Sequence, residues 1–178
     1  LLVGCTNGFE DSRYSPDQVA TLPDLTAEFA DAKDDTRTYI DGDNHLHWHK
    51  ADLITAFFGN TLNQAYRFNG ETGDNSGTFS LVPSGMLGTG NDLEAIYAVY
   101  PHNKAVKISD TGVLSLTLPS MQGYAGGTFG KGANTMIAVT ESVADTYLGF
   151  RNAGGYLKVQ LYGEDVTVRS VVLRGNND

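Results

Sequence analysis

The strongest constraint in this sequence is a series of short segments in which apolar side chains recur at every second position, with turn-forming residues between them. Leu46 and Trp48 alternate with His45, His47 and His49; Leu114, Leu116 and Leu118 alternate with Ser115 and Thr117; Leu157, Val159 and Leu161 alternate with Lys158 and Gln160. A two-residue period places one set of side chains on one side of an extended chain, so each segment reads as a strand with a single apolar face. Residues 53–58 and 95–100 are apolar at both parities and read as central strands covered on both sides. Residues 41–44, 69–77, 110–112 and 163–165 are rich in Gly, Asp and Asn, which accept the backbone angles of tight turns. The pattern predicts an all-β, antiparallel β-sandwich of about seven main strands, since two sheets must bury their apolar faces against each other.

At 178 residues the chain is long enough to bury a core without metal or disulfide staples. Its formal charge of −9, with 12 Lys and Arg spread along the chain, excludes nucleic acid as a partner, because a phosphate backbone needs a basic stripe that releases counterions. No apolar run approaches the roughly 20 residues that span a bilayer, so a membrane link has to be covalent or through a partner.

The N-terminus supplies such a link. The sequence opens Leu1-Leu2-Val3-Gly4-Cys5 without an initiating Met, and residues 1–4 are expected to be the end of a signal peptide. Small and apolar residues before a cysteine fit a bacterial lipobox, in which the thiol accepts a diacylglycerol in thioether linkage. Cys5, the single cysteine, has no intramolecular disulfide partner, and lipidation explains its presence. At about 0.8 kcal/mol per buried acyl CH₂, two or three chains hold a protein on a membrane durably.

Residues 5–36 are acidic and without sustained apolar periodicity, as expected of a solvated, lipidated tether or propeptide. Within it, Leu25, Ala27 and Phe29 alternate with Thr26, Glu28 and Ala30, which predicts a short edge strand near 25–30. A helical turn starting near Pro23 is the competing expectation. Residues 37–178 are expected to form one β domain. The closing stretch 166–174 is strand-like, and a second domain is expected to follow it.

Over most of residues 25 to 177, the chain resembles the N-terminal domain of the fimbrillins, subunits of Bacteroidales-type fimbriae. The resemblance rests on Thr36-Arg37-Thr38, the Trp-centred segment at 46–48, residues 51–59, Ala98-Val99-Tyr100-Pro101, residues 118–124 with Gly127-Thr128-Phe129, residues 148–161 and residues 171–176. Their order and spacing carry the likeness, not any one piece. The resemblance implies a transthyretin-like β-sandwich exported as an outer-membrane lipoprotein at the cell surface. It also implies assembly by donor-strand completion: an arginine-specific protease cuts after the first strand, and a strand from the next subunit fills the groove left behind. Carried onto this chain, the removable strand lies near 25–30 and the cleavage point is Arg37, with Arg13 the other arginine on the N-terminal side.

Other constellations are weaker. His45, His47 and His49 are the candidate metal ligands, since residues two apart on a strand share a side, but no nearby cysteine or fourth ligand accompanies them. Residues 126–132 depart from a phosphate loop at Ala125 and Gly132. Neither Asp41, Asp43 and Asn44 nor Asp74 and Asn75 continues into a calcium ligand set. There is no G-x-S-x-G elbow and no nucleophile paired with a base. The expectation is therefore a structural, adhesive pilus subunit, or its anchor or tip component, with no cofactor and no catalytic residues. Its partners are other pilus subunits, the outer membrane, and host or bacterial surface ligands. The alternative is a non-polymerising, glycan-binding surface lipoprotein that stacks sugars on Tyr97, Tyr100 or Tyr124.

Overall fold

The computed structural model describes residues 22–30, 46–59, 61–83, 90–118, 121, 123–125, 128–130, 133–154, 161–172 and 174. All regular structure among them is β. In chain order the strands are β1 (Leu25–Phe29), β2 (Leu53–Phe57), β3 (Gln64–Phe68), β4 (Ser76–Leu81), β5 (Tyr97–Tyr100) and β6 (Lys107–Ile108). They continue with β7 (Leu114–Ser115), β8 (Tyr124–Ala125), β9 (Thr128–Phe129), β10 (Met136–Val139) and β11 (Tyr147–Asn152).

Seven of these strands form one sheet in the order β1-β11-β10-β5-β2-β3-β4, and β1 pairs back onto β4 to close it into a barrel. Every pairing in the barrel is antiparallel except β1 with β11, which is parallel. The strand material and the number of main strands match the alternation in the sequence. The arrangement differs from two stacked open sheets. Alternation says which face of a strand is buried but not whether the outermost strands of a sheet meet, and here β1 bridges them, leaving the sheet without a free edge.

Inside the barrel, side chains of alternate residues meet: Leu25, Ala27 and Phe29 from β1, Ile54 and Ala56 from β2, Tyr66 and Phe68 from β3, Phe79 from β4, Ala98 and Tyr100 from β5, Met136 and Ala138 from β10, Leu148 and Phe150 from β11. Trp48, fully buried, fills the middle. Its ring lies 4.5 Å from Phe29, 5.0 Å from Phe79, 5.5 Å from Tyr100, 5.6 Å from Phe150 and 5.9 Å from Phe68. One side chain thus touches rings from five strands, mostly edge to face, a geometry that adds to area burial. The indole N–H is buried without an acceptor among the described residues, at a cost of about 1–3 kcal/mol that this packing has to offset.

The expectation that 53–58 and 95–100 are covered on both sides has a direct counterpart. The outward residues Phe57 of β2 and Val99 of β5 pack under Leu93 and Val106, with Ile108 and Leu114 of the β6–β7 hairpin beside them. The hairpin thus forms a second layer over the β2, β5 and β10 face.

Two sequence expectations are corrected. Leu25–Phe29 is neither a helical turn nor an edge strand, because it has a strand on each side. Residues 166–172 form no strand, and their valines stand exposed. An amphipathic pattern makes a strand only where a partner edge exists, and the closed barrel offers none. Leu157 and Val159 lie outside the described residues.

Candidate functional site

The position of β1 in the barrel wall defines the candidate site. On one side it runs parallel to β11, pairing Thr26 with Tyr147 through to Phe29 with Phe150; on the other it runs antiparallel to β4, pairing Leu25 with Phe79 through to Glu28 with Ser76. The amide of Thr26 donates to the Thr146 carbonyl at 2.9 Å and that of Ala30 to the Phe150 carbonyl at 3.0 Å. Three side chains at alternate positions point inward: Leu25 and Ala27 are fully buried, and Phe29 stacks on Trp48. The outward Thr26 is exposed and Glu28 half-buried.

The slot is shaped around these residues. Gly77 of β4, paired with Ala27, leaves room for the Phe68 ring: a Cβ at position 77 would sit 2.7 Å from the Phe68 ring edge, and one at Gly70 would also run into that ring. On β11, a Cβ at Gly149 would lie 3.2 Å from the Ala30 methyl. At the start of β1, the Tyr66 hydroxyl donates to the Pro23 carbonyl at 3.3 Å. Burial, and secondarily the nearby Asp24 carboxylate, pushes the Tyr66 hydroxyl well above the usual phenol range.

Trp48 is held in place by main-chain bonds on both sides of its residue. Its amide donates to the Asp74 carbonyl at 2.7 Å and its carbonyl accepts from Gly73 at 3.1 Å. Next to it, Lys50 pairs with Glu71 at 2.8 Å and its amide donates to Thr72 Oγ1 at 3.0 Å. The Asp52 carboxylate accepts the His49 amide at 2.9 Å and also bonds the Tyr100 hydroxyl. Burial first, then Asp52, raises Tyr100 far above its ordinary value.

Of the residues singled out from sequence, Cys5, Arg37 and His45 lie outside the described residues. Leu46 and Trp48 do face the core. His47 is half-buried and its Nδ1 donates to the Gly73 carbonyl at 2.5 Å; His49 is half-buried as well. Among the described residues no group of three His, Cys, Asp or Glu side chains is placed to hold a metal ion. Tyr100 is buried and Tyr97 packs against the second apolar cluster, so neither offers a ring face for stacking on a sugar. The side chain of Tyr124 lies outside the described residues.

A second surface was not signalled by any motif. An open groove of about 770 Å³ runs between Pro101, His102 and Lys104 after β5, Leu116 and Leu118 after β7, and Thr135 before β10. His102 Nδ1 is hydrogen-bonded to the Thr55 hydroxyl at 2.9 Å. Burial, then the neighbouring Lys104, lowers the His102 pKa. None of the described lining residues is acidic. No family model, no curated protein and no solved structure matches this chain.

Proposed function

We propose that this chain is a structural and adhesive cell-surface lipoprotein, a pilus subunit or the anchor or tip component of one, that assembles by donor-strand completion and is not an enzyme. The observation that carries this reading is the placement of β1, five residues near the start of the chain that close the barrel wall between β4 and β11. Withdrawing them would unpair the backbone of both neighbours and uncover the ring of Trp48 that Phe29 stacks upon. A strand from a neighbouring subunit would restore the main-chain ladders, and apolar side chains at the positions of Leu25, Ala27 and Phe29 would fix its register.

In this reading Cys5 carries the lipid that holds the protein at the outer membrane, and Arg37, between β1 and the Trp48 segment in sequence, is the cleavage point. The barrel then corresponds to a transthyretin-like sandwich whose open side β1 closes, a view supported by seven main strands that pair antiparallel everywhere except at β1 with β11. The likeness to fimbrillins seen in the order of the sequence segments points the same way.

Digestion with an arginine-specific protease tests the proposal. The expected result is a new N-terminus after Arg37, a red shift of the emission of Trp48, the single tryptophan, and polymer on size-exclusion chromatography. A chain that resists, is cut elsewhere, or loses β1 and stays monomeric would remove the assembly mechanism. Metabolic labelling with an alkyne fatty acid tests the anchor separately: equal labelling of wild type and Cys5→Ala would end it.

A further inference from the structure

Among the described residues, two exposed apolar surfaces stand out once the barrel is complete. One is the groove between Pro101, Lys104, Leu116 and Leu118; Leu118 is 58% exposed. The other is the stretch 161–172, in which Leu161, Tyr162, Val166, Val168, Val171 and Val172 are each more than half exposed. The chain leaves β11 beside the groove. The amide of Ala153, just after β11, donates to the carbonyl of Thr135, and Thr135 lines the groove. Even so, the chain does not seat its own stretch there: Asp165 adopts a left-handed φ of 54° and the valines that follow stand in solvent.

We propose that residues 164–172 of one copy dock, extended, in the groove of a second copy of this chain. The leading end of the stretch and the groove are complementary in charge. Glu164 and Asp165, both exposed, lead the stretch, and the groove presents Lys104, with no acidic residue among its described lining residues in a chain of net charge −9. Val166 and Val168, two residues apart, project to one side of an extended chain and fit over Leu116 and Leu118. An open, shallow groove suits an extended segment, which takes its binding from alternate side chains. Donor and acceptor are different surfaces, so the contact is heterologous and each copy can accept one neighbour while reaching for another. It requires no cleavage and leaves β1 in place, so it goes beyond the donor-strand reading, and either can fail without the other.

The test is the association state of the uncleaved chain, measured by sedimentation velocity across a wide concentration range, together with Val168→Glu and Leu118→Glu. Both positions are exposed, and circular dichroism checks that each variant keeps its strands. Wild type is expected to grow in mass with concentration, and each variant to stay monomeric. Their mixture is expected to reach twice the monomer mass and stop, since each variant retains one good surface. Wild type monomeric throughout, which is also the outcome if the stretch folds back on its own chain, overturns the proposal. So does association that either substitution leaves unchanged, or a mixture that stays monomeric.

Discussion

β1 and the stretch 166–172 carry nearly the same sequence pattern and have opposite fates. Leu25, Ala27 and Phe29 alternate with Thr26 and Glu28; Val166 and Val168 alternate with Thr167 and Arg169, before Ser170 breaks the period. The first is paired on both sides with its apolar residues buried, and the second is unpaired with its valines in solvent. The difference lies in what each meets, not in its own propensity. β1 has two strand edges to bond and an aromatic centre to cover, whereas the later stretch reaches a sheet that is already closed. β-propensity is mostly the fit of a side chain to a half-buried surface, and only one of the two segments has such a surface.

The largest expected effect tests whether side-chain burial separates the two. Phe29→Ala removes the ring stacked on Trp48 at 4.5 Å and is expected to cost about 3–5 kcal/mol in chemical denaturation, as truncation of a buried aromatic usually does. Val172→Ala, at a position 73% exposed, is expected to stay within about 0.5 kcal/mol. Similar costs at the two sites would mean that the valine stretch is packed within its own fold and that the contrast is false.

A smaller effect sharpens the view that the slot is shaped for β1. Gly77→Ala would push a methyl into the Phe68 ring, which packs 5.1 Å from Phe79. Overpacking of this kind costs about 1–3 kcal/mol. Phe68→Leu in the same background makes room and is expected to recover part of the loss in a double-mutant cycle. Full additivity of the two substitutions would place the cause elsewhere, since residues in contact are expected to couple.

Much of this contrast was legible in the sequence, for physical reasons that can be named. The two-sided apolar character of 53–58 and 95–100 follows from their place between the barrel core and the β6–β7 layer, and the inward Leu46 and Trp48 follow from period two. β1 was visible as a strand, but its pairing on both sides was not, because edge or interior position is decided by residues far away in the chain. Closure of the barrel was hidden for the same reason, and so were the groove and the clearance that Gly70 and Gly77 give Phe68. The alternation at 166–172 was over-read, since it records an amphipathic segment without recording a partner. Of the candidate site, sequence marks the strand, while the stacking of Phe29 on Trp48 and the tie from Tyr66 to Pro23 emerge only when β3 and β1 are brought together.

That tie gives the smallest effect and tests the seating of β1 by pH. The Tyr66 hydroxyl, fully buried, donates to the Pro23 carbonyl at the mouth of the slot, and burial raises its pKa above the ordinary 10.0, with Asp24 adding to the shift. A phenol whose pKa is raised on folding contributes stability that is complete below pH 10, where both states are protonated. That contribution is lost as pH climbs beyond 10 toward the folded-state value, because the unfolded chain then releases a proton the folded chain keeps. Tyr66→Phe removes one hydrogen bond, and the exposed Pro23 can pass its carbonyl to water, so the cost at neutral pH is expected near the lower end of about 0.5–1.5 kcal/mol. Above pH 10 wild type is expected to lose stability more steeply than Tyr66→Phe, so the gap between them narrows in urea titrations run at successive pH values. Tyr100, raised by burial and by Asp52, steepens both curves alike. An alkaline slope that stays as steep in Tyr66→Phe would mean that the Tyr66 hydroxyl is not sealed against Pro23 at the mouth of the slot.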